Sequence, residues 1–274
     1  MSTDRPYRGK LRAVIFDWAG TIIDHGSLAP VRALEELFRA HEVPITEAEA
    51  RMDMGLLKKD HIRSILSGSR VSAAWSDKYG GPPSETDVEE LFADFIPRQL
   101  HCLAGYSELI PGLVEVTAAI RKRGMKVGGT TGYTRPMLDL LLERAAAQGF
   151  IPDCALCPED VGAGRPNPWM CYETAVRLRV YPLESFVKVG DTLSDIEEGL
   201  NAGMWTIGVA RTGNLIGLSE SDLARLPSED RQARVEAARG TFSAAGAHYI
   251  VEAVADLSPI LDSIDERLSK GDRP

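Results

Sequence analysis

Cysteine is scarce in this 274-residue chain: there are four, at positions 102, 154, 157 and 171. So few in a chain of this length exclude a small disulfide-held scaffold, and reduced thiols in the cytoplasm are the expectation. No apolar run approaches the roughly 18 residues that would span a bilayer. The stretch Met1 to Lys10 is polar and lacks the apolar centre of a secretion signal. Basic residues are outnumbered, 31 against 40 acidic, giving a formal charge of −9. Nucleic acids and anionic membranes bind through clustered lysine and arginine, so neither is expected as a partner. Repeats and low-complexity tracts are also missing. The 25 glycines and 16 prolines are scattered without period, which excludes a collagen-like chain.

What remains is an ordinary globular composition, 44% hydrophobic and 26% charged. The apolar, β-branched run Leu11 to Phe16 reads as a strand buried on both faces, ending at Asp17. A helical pattern begins near Pro30, with Val31, Leu34, Leu37 and Phe38 on one face. Similar units follow: a helix from Leu113 to Lys122 closed by Gly124, a strand from Lys126 to Thr130, and a helix from Thr134 that ends before Gly149. Then come a short strand Cys154 to Leu156, a helix capped by Asn167 and reaching about Leu178, and a strand Phe186 to Val189. A helix Leu193 to Asn201, a strand Trp205 to Val209 and a last strand His248 to Val251 complete the pattern. This alternation predicts an α/β fold, a Rossmann-like doubly wound parallel sheet.

Residues 46–102 break the rhythm. Four helical patterns without a strand, over Thr46 to Leu57, Asp60 to Leu66, Val71 to Tyr79 and Glu85 to Leu103, predict an all-helical cap inserted between two parts of the core, 1–45 and 103–274.

In such sheets reactive groups gather at the carboxyl ends of the strands. Those ends carry Asp17, Thr131 with Gly132, and Gly190-Asp191 followed by Ser194 and Asp195. Arg165 lies in a glycine-rich loop. Any one of these has a bland explanation, since an aspartate after a strand commonly caps a turn or helix and a lone arginine is commonly a surface residue. Together they read as an anion site with a divalent metal. Asp17 and Asp191 are hard oxygen donors suited to Mg²⁺, while Thr131, Arg165 and backbone N–H groups after Asp17 can hold phosphoryl oxygens. Asp17 can also act as nucleophile.

This pattern resembles the haloacid dehalogenase (HAD) superfamily, most of whose members transfer phosphoryl groups through an aspartyl-phosphate. Phosphatases of that superfamily place a second aspartate two residues after the nucleophile as general acid and base; here the residue is Ala19. Losing the acid would cost an ester hydrolase roughly 10² to 10⁴ in rate. A leaving carbon whose electrons enter an iminium would not need it, and that chemistry requires a Schiff-base lysine. The cap stretch Met54 to His61 (MGLLKKDH) offers two. With FDWAGT at 16–21, TTGYTR at 130–135 and AGRPNPWMCY at 163–172, the chain is similar over nearly its whole length to the phosphonatases, a family within that superfamily. Ser27 stands where some of that family carry cysteine.

The resemblance implies hydrolysis of the carbon–phosphorus bond of phosphonoacetaldehyde to acetaldehyde and phosphate. It implies Asp17 as nucleophile and Lys58 as Schiff-base lysine, with Mg²⁺ held by Asp17, the Ala19 carbonyl and Asp191, and Asp195 in support. Thr131, Gly132 and Arg165 would bind the phosphonyl group, and Met54, His61 and Tyr133 would lie near Lys58 or the substrate. A homodimer is implied as well. A phosphomonoesterase or phosphoryl mutase of the superfamily, and an inert anion-binding module, are the alternatives.

From the residues alone, Lys58 and Lys59 are not separated; they point about 100° apart on a helix. Either needs a pKa far below about 10.4 to attack a carbonyl. Burial, the apolar Leu56 and Leu57 and the neighbouring Lys59 are the expected causes for Lys58. Cys154 and Cys157 form a CxxC with no second pair, and no metal is expected there. His25, His41, His101 and His248 are expected to be structural, and Trp18 to anchor its loop by packing.

Overall fold

The computed structural model describes residues 6–274. In chain order it comprises β1 (Ala13–Phe16), α1 (Leu28–Ala40), α2 (Glu47–Arg51), α3 (Lys58–Ser67), α4 (Ser69–Tyr79), α5 (Glu85–Gly105), α6 (Leu113–Lys122), β2 (Lys126–Thr130) and α7 (Arg135–Ala147). These are followed by β3 (Cys154–Leu156), α8 (Trp169–Leu178), β4 (Phe186–Gly190), α9 (Leu193–Asn201), β5 (Trp205–Val209), α10 (Glu220–Arg225), α11 (Ser228–Ala244), β6 (Tyr249–Val251) and α12 (Leu257–Lys270).

The six strands form one sheet in the order β3-β2-β1-β4-β5-β6, and every pairing is parallel. β1, β4 and β5 are buried along their whole length, as expected of strands covered by helices on both faces. The order reverses at β1, which lies between β2 and β4 with Phe16 in register with both Gly129 and Val189. That register brings the chain after three strands, at Asp17, Thr131 and Asp191, to one edge, although the residues are far apart in sequence. The parallel α/β sheet predicted from the alternating pattern is therefore the fold.

The helical insertion differs from the sequence pattern in one place that affects the site. Instead of a helix through Leu57, α2 stops at Arg51. Met52 is extended, and Asp53 and Gly55 take left-handed backbone angles. The chain turns back on itself over 52–57 before α3 starts at Lys58. Asn167 does not cap α8; its side-chain amide donates to the Gly164 carbonyl, and the helix starts after Pro168. Since α1 packs along α5, we propose that the helical subdomain starts at Leu28 rather than at residue 46.

Two linkers join this subdomain to the sheet, and they run side by side. Ile23 forms an antiparallel bridge with Leu109, and the Ile110 N–H donates to the Ile22 carbonyl at 2.8 Å. Asp24 lies at this crossing and accepts the N–H groups of Leu28 and Ala29, closing the start of α1 with both its oxygens. Trp18 is fully buried, edge-on to Phe150, as a packing anchor.

Candidate active site

Asp17 continues the β1 ladder through its N–H, which donates to the Val189 carbonyl at 2.8 Å, and its side chain projects beyond the sheet edge. Carboxylate oxygens of Asp17, Asp191 and Asp195 lie within 4.8 Å of one another, all buried. Asp191 accepts the Asn214 N–H at 2.7 Å and lies 3.5 Å from the Thr21 hydroxyl. Asp195 is in the first turn of α9, where Thr192 donates to its Oδ2 from both hydroxyl and N–H, at 2.6 and 3.2 Å.

Arg165 ties these acids together. Its Nη2 is 2.7 Å from Asp17 Oδ1, its Nη1 3.0 Å from Asp195 Oδ1 and its Nε 3.0 Å from Glu198 Oε2. It also donates to the Thr130 carbonyl at 2.8 Å. Lys188 lies beneath, with Nζ 2.9 Å from Asp195, 3.0 Å from Glu198 and 2.7 Å from the Thr130 hydroxyl. Lys188, Glu198 and Thr130 escaped the sequence reading. The signal was a charged residue at the centre of the wholly buried strand FVKVG, which needs an opposite charge in its reach. Glu198 sits one helical turn after Asp195 on the same face of α9.

The three aspartates differ electrically. Burial raises Asp195, but Arg165, Lys188 and Thr192 outweigh it and hold the acid below the ordinary carboxylate value. Among the described residues no cation pairs with Asp191; burial and the facing Asp17 carboxylate push it well up. Burial also raises Asp17, against the opposing pull of Arg165. A pair of buried carboxylates that repel each other, both offering hard oxygen donors, fits a divalent cation.

Facing the aspartates is the turn before α3. A Cβ on Gly55 would lie 2.3 Å from Ser194 Oγ and 2.6 Å from Thr192 Oγ1, so only glycine lets the turn approach the α9 start this closely. The Ser194 hydroxyl donates to the Met54 carbonyl across this contact. Lys58 is 3% exposed, with Nζ 3.8 Å from Met54 Sδ and 5.3 Å from the Tyr133 ring centre. Burial lowers its pKa to about 8, helped by Arg165 and opposed by Asp17 and Asp191.

The expectation that Lys59 helps to lower Lys58 is incorrect. One residue further round the helix, Lys59 points outward and pairs with Glu85 and Glu89. The depressing cation is Arg165. His61 lies on the buried face of α3 with Lys58, and burial with the Lys58 charge lowers its pKa to about 3, so the ring is neutral. Asp17, Met54, Lys58, Thr131, Gly132, Tyr133 and Arg165 surround one cavity of about 20 Å³. Ala19 and Ser27 line it too.

The remaining candidates fall elsewhere. All four cysteines are free, and Cys157 donates to Glu159 with its thiol pushed up to about 12 by burial. Among the described residues the aspartate trio is the one cluster of acids, histidines or thiols spaced for a metal. His41 stacks on Trp75 and pairs with Asp94, while His25 and His248 bond the Leu218 carbonyl and Thr206.

An aspartate at the switch point of a parallel sheet, an acid trio around it and a helical insertion define a class. The chain belongs to the haloacid dehalogenase-like hydrolases, whose family profile matches residues 11–203. Several relatives at 42–45% identity over nearly the whole chain carry the name phosphonoacetaldehyde hydrolase. The protein of that name from Nitratidesulfovibrio vulgaris is 45% identical over 98% of this chain and 96% of its own length. That of Syntrophobacter fumaroxidans is 45% identical over 99% and 98%. The crystal structure of a phosphonoacetaldehyde hydrolase-like protein from Oleispira antarctica superposes with a TM-score of 0.98, at 42% identity over 100% of this chain and 99% of that one.

Proposed function

We propose that the protein hydrolyses the carbon–phosphorus bond of phosphonoacetaldehyde, giving acetaldehyde and phosphate. The observation that carries this reading is a buried lysine with a pKa near 8 in the same cavity as Asp17, while Ala19 leaves that cavity without the second acid of an ester hydrolase.

In this mechanism neutral Lys58 Nζ adds to the aldehyde carbon, and loss of water gives a protonated imine. An Asp17 oxygen attacks phosphorus in line. The carbon–phosphorus bond breaks, and its electron pair enters the iminium to form an enamine, so no oxygen needs a proton and none is missed at Ala19. Protonation on carbon and addition of water release acetaldehyde and restore Lys58. A second water hydrolyses the aspartyl-phosphate to phosphate and frees Asp17. Arg165, already 2.7 Å from Asp17, with Thr131 and the Gly132 and Tyr133 backbone, balances the charge on the phosphonyl oxygens. Tyr133 bounds the lysine side of the cavity, neutral His61 packs beside Lys58 on the buried face of α3 without lining it, and Met54 Sδ holds Nζ in place.

Mg²⁺ is the metal we assign to Asp17, Asp191 and the Ala19 carbonyl; when bound it supplies positive charge to the oxygens of the transferring group. Asp195, occupied by Arg165, Lys188 and Thr192, supports those ligands from behind. We also place the protein in the cytoplasm as a homodimer without nucleic-acid or membrane partners. Its net charge of −9 supports the lack of polyanionic partners. An apolar face on which Val176 and Tyr181 are exposed beside the half-buried Tyr172, Val180 and Leu183 supports pairing.

The test is incubation with phosphonoacetaldehyde and Mg²⁺, measuring acetaldehyde and phosphate beside a panel of phosphate esters. Equal release of both products and little ester turnover are expected, and borohydride added with substrate should trap an adduct on Lys58. Ester hydrolysis without phosphonate cleavage, or an adduct on Lys59, would overturn the reading.

A further inference from the structure

Arg51, the last residue of α2, is absent from the chemistry above, yet it joins three parts of the molecule. Its Nε pairs with Glu47 on its own helix at 2.8 Å, fixing the side chain. Its Nη1 donates to the Gly26 carbonyl in the linker at 3.0 Å and to Asn214 Oδ1 at 3.1 Å, and its Nη2 donates to the Gly217 carbonyl at 3.0 Å. Asn214 answers with its side-chain amide, which lies 3.5 Å from the Arg51 carbonyl. The Asn214 amide group is thus gripped from both ends by one residue of the helical subdomain.

Asn214 matters because its backbone N–H is the 2.7 Å donor to Asp191 Oδ2. The loop that carries it is pressed onto that carboxylate: a Cβ on Gly213 would lie 2.2 Å from Asp191 Cβ. On the other side, Arg51 is three residues before Met54, which contacts Lys58. We propose that Arg51 is a positioning residue that couples seating of the Lys58-bearing turn to the aim of Asp191, acting through Asn214. This rests on the reading of Asp191 as a metal ligand. A guanidinium is suited to the task because its planar fork reaches Gly26, Asn214 and Gly217 at once, which a lysine ammonium on its flexible stem does not.

The experiment is calorimetric titration of the substrate-free protein with Mg²⁺ alone, for the wild type, Arg51→Ala, Arg51→Lys, Asn214→Ala and the Arg51→Ala/Asn214→Ala double variant. Thermal melts of each show what is folded. Groups that orient a metal ligand typically contribute 10- to 100-fold to affinity, so Arg51→Ala is expected to weaken binding about tenfold. Arg51→Lys should fail to rescue it. Asn214→Ala, which keeps the backbone N–H and removes only the gripped amide, should weaken binding to a similar degree, and the double variant should be no weaker than the weaker single, as for two residues in one chain of contacts. Affinity within twofold of wild type in Arg51→Ala, rescue by lysine, or additive losses in the double variant would overturn the proposal and leave Arg51 a structural brace. A wild type that does not bind Mg²⁺ would instead refute the metal assignment on which the proposal rests.

Discussion

Replacing Lys58 by methionine should abolish catalysis and make the metal-free protein more stable at neutral pH. Burial holds the folded-state pKa of Lys58 at about 8 against the ordinary 10.5. Below pH 8 the residue is protonated in both folded and unfolded chains, and the cost of a buried ammonium is fully present. Between pH 8 and 10.5 the unfolded chain binds a proton that the folded one does not, so wild-type stability rises with pH at about 1.4 kcal/mol per unit; above 10.5 the cost is gone. The whole step is about 3 kcal/mol, from 1.36 kcal/mol per pKa unit. Methionine has a similar length and no charge, so Lys58→Met should recover most of it at pH 7, a rise in Tm on the order of 5–10 °C. The assay is thermal denaturation of both proteins with chelator present, at pH 7 and again near pH 10.5, where the curves should converge. A variant no more stable than wild type at pH 7, or a gain that persists at pH 10.5, would refute the argument that Lys58 carries a desolvation cost for the sake of its reactivity.

Two further changes test the contacts around the site. Gly55→Ala puts a methyl group where Ser194 Oγ and Thr192 Oγ1 already stand, on a residue with φ of +95°. It should displace the turn before Lys58 and lower kcat/KM by about 100-fold, the cost of roughly 1 Å of misplacement, with an unchanged circular dichroism spectrum; near-wild-type kinetics would show that the turn is not seated during turnover. Val176→Asp, at a position 69% exposed on the apolar face of α8, should give the mass of a single chain in light scattering, and a mass of two chains would remove that face as the pairing surface.

The order of strands and the residues at their ends were legible because a buried parallel strand is a short apolar run with an abrupt polar end, and β1, β2 and β4 all show it. What the one-dimensional pattern hid were contacts that depend on where turns fall. The apolar spacing over 46–57 suits a helix, yet the chain leaves the helix at Arg51 because the turn to Gly55 gains contact with α9, a tertiary effect with no local signature. The role of Arg51 therefore has no signature in the local sequence. Likewise Lys58 and Lys59 are equivalent in composition, and only the rotation of α3 against the sheet decides which is buried. Lys188 was missed although it is a charge in a buried strand, and its partners Asp195 and Glu198 come from a helix whose packing the sequence does not specify.

The size of the cavity bears on how the lysine is activated. About 20 Å³ holds roughly one water molecule, whereas phosphonoacetaldehyde has seven non-hydrogen atoms. On the proposed mechanism the helical subdomain therefore swings away for the substrate to enter and for acetaldehyde and phosphate to leave, as in other lidded enzymes. Lys58 is rewetted when that happens. Its ordinary pKa returns, and at pH 7 only about one molecule in three thousand would carry the free amine, against roughly one in eleven at a pKa of 8. Closure thus raises the nucleophile's population about 300-fold, and it does so as the same movement brings Gly55 against Ser194 and Arg51 against Asn214. On that mechanism the desolvation that would activate the lysine and the contacts that would organise the aspartates follow from one docking event, with the proposed Schiff-base lysine on the helical part and the proposed phosphoryl acceptor Asp17 at the sheet edge.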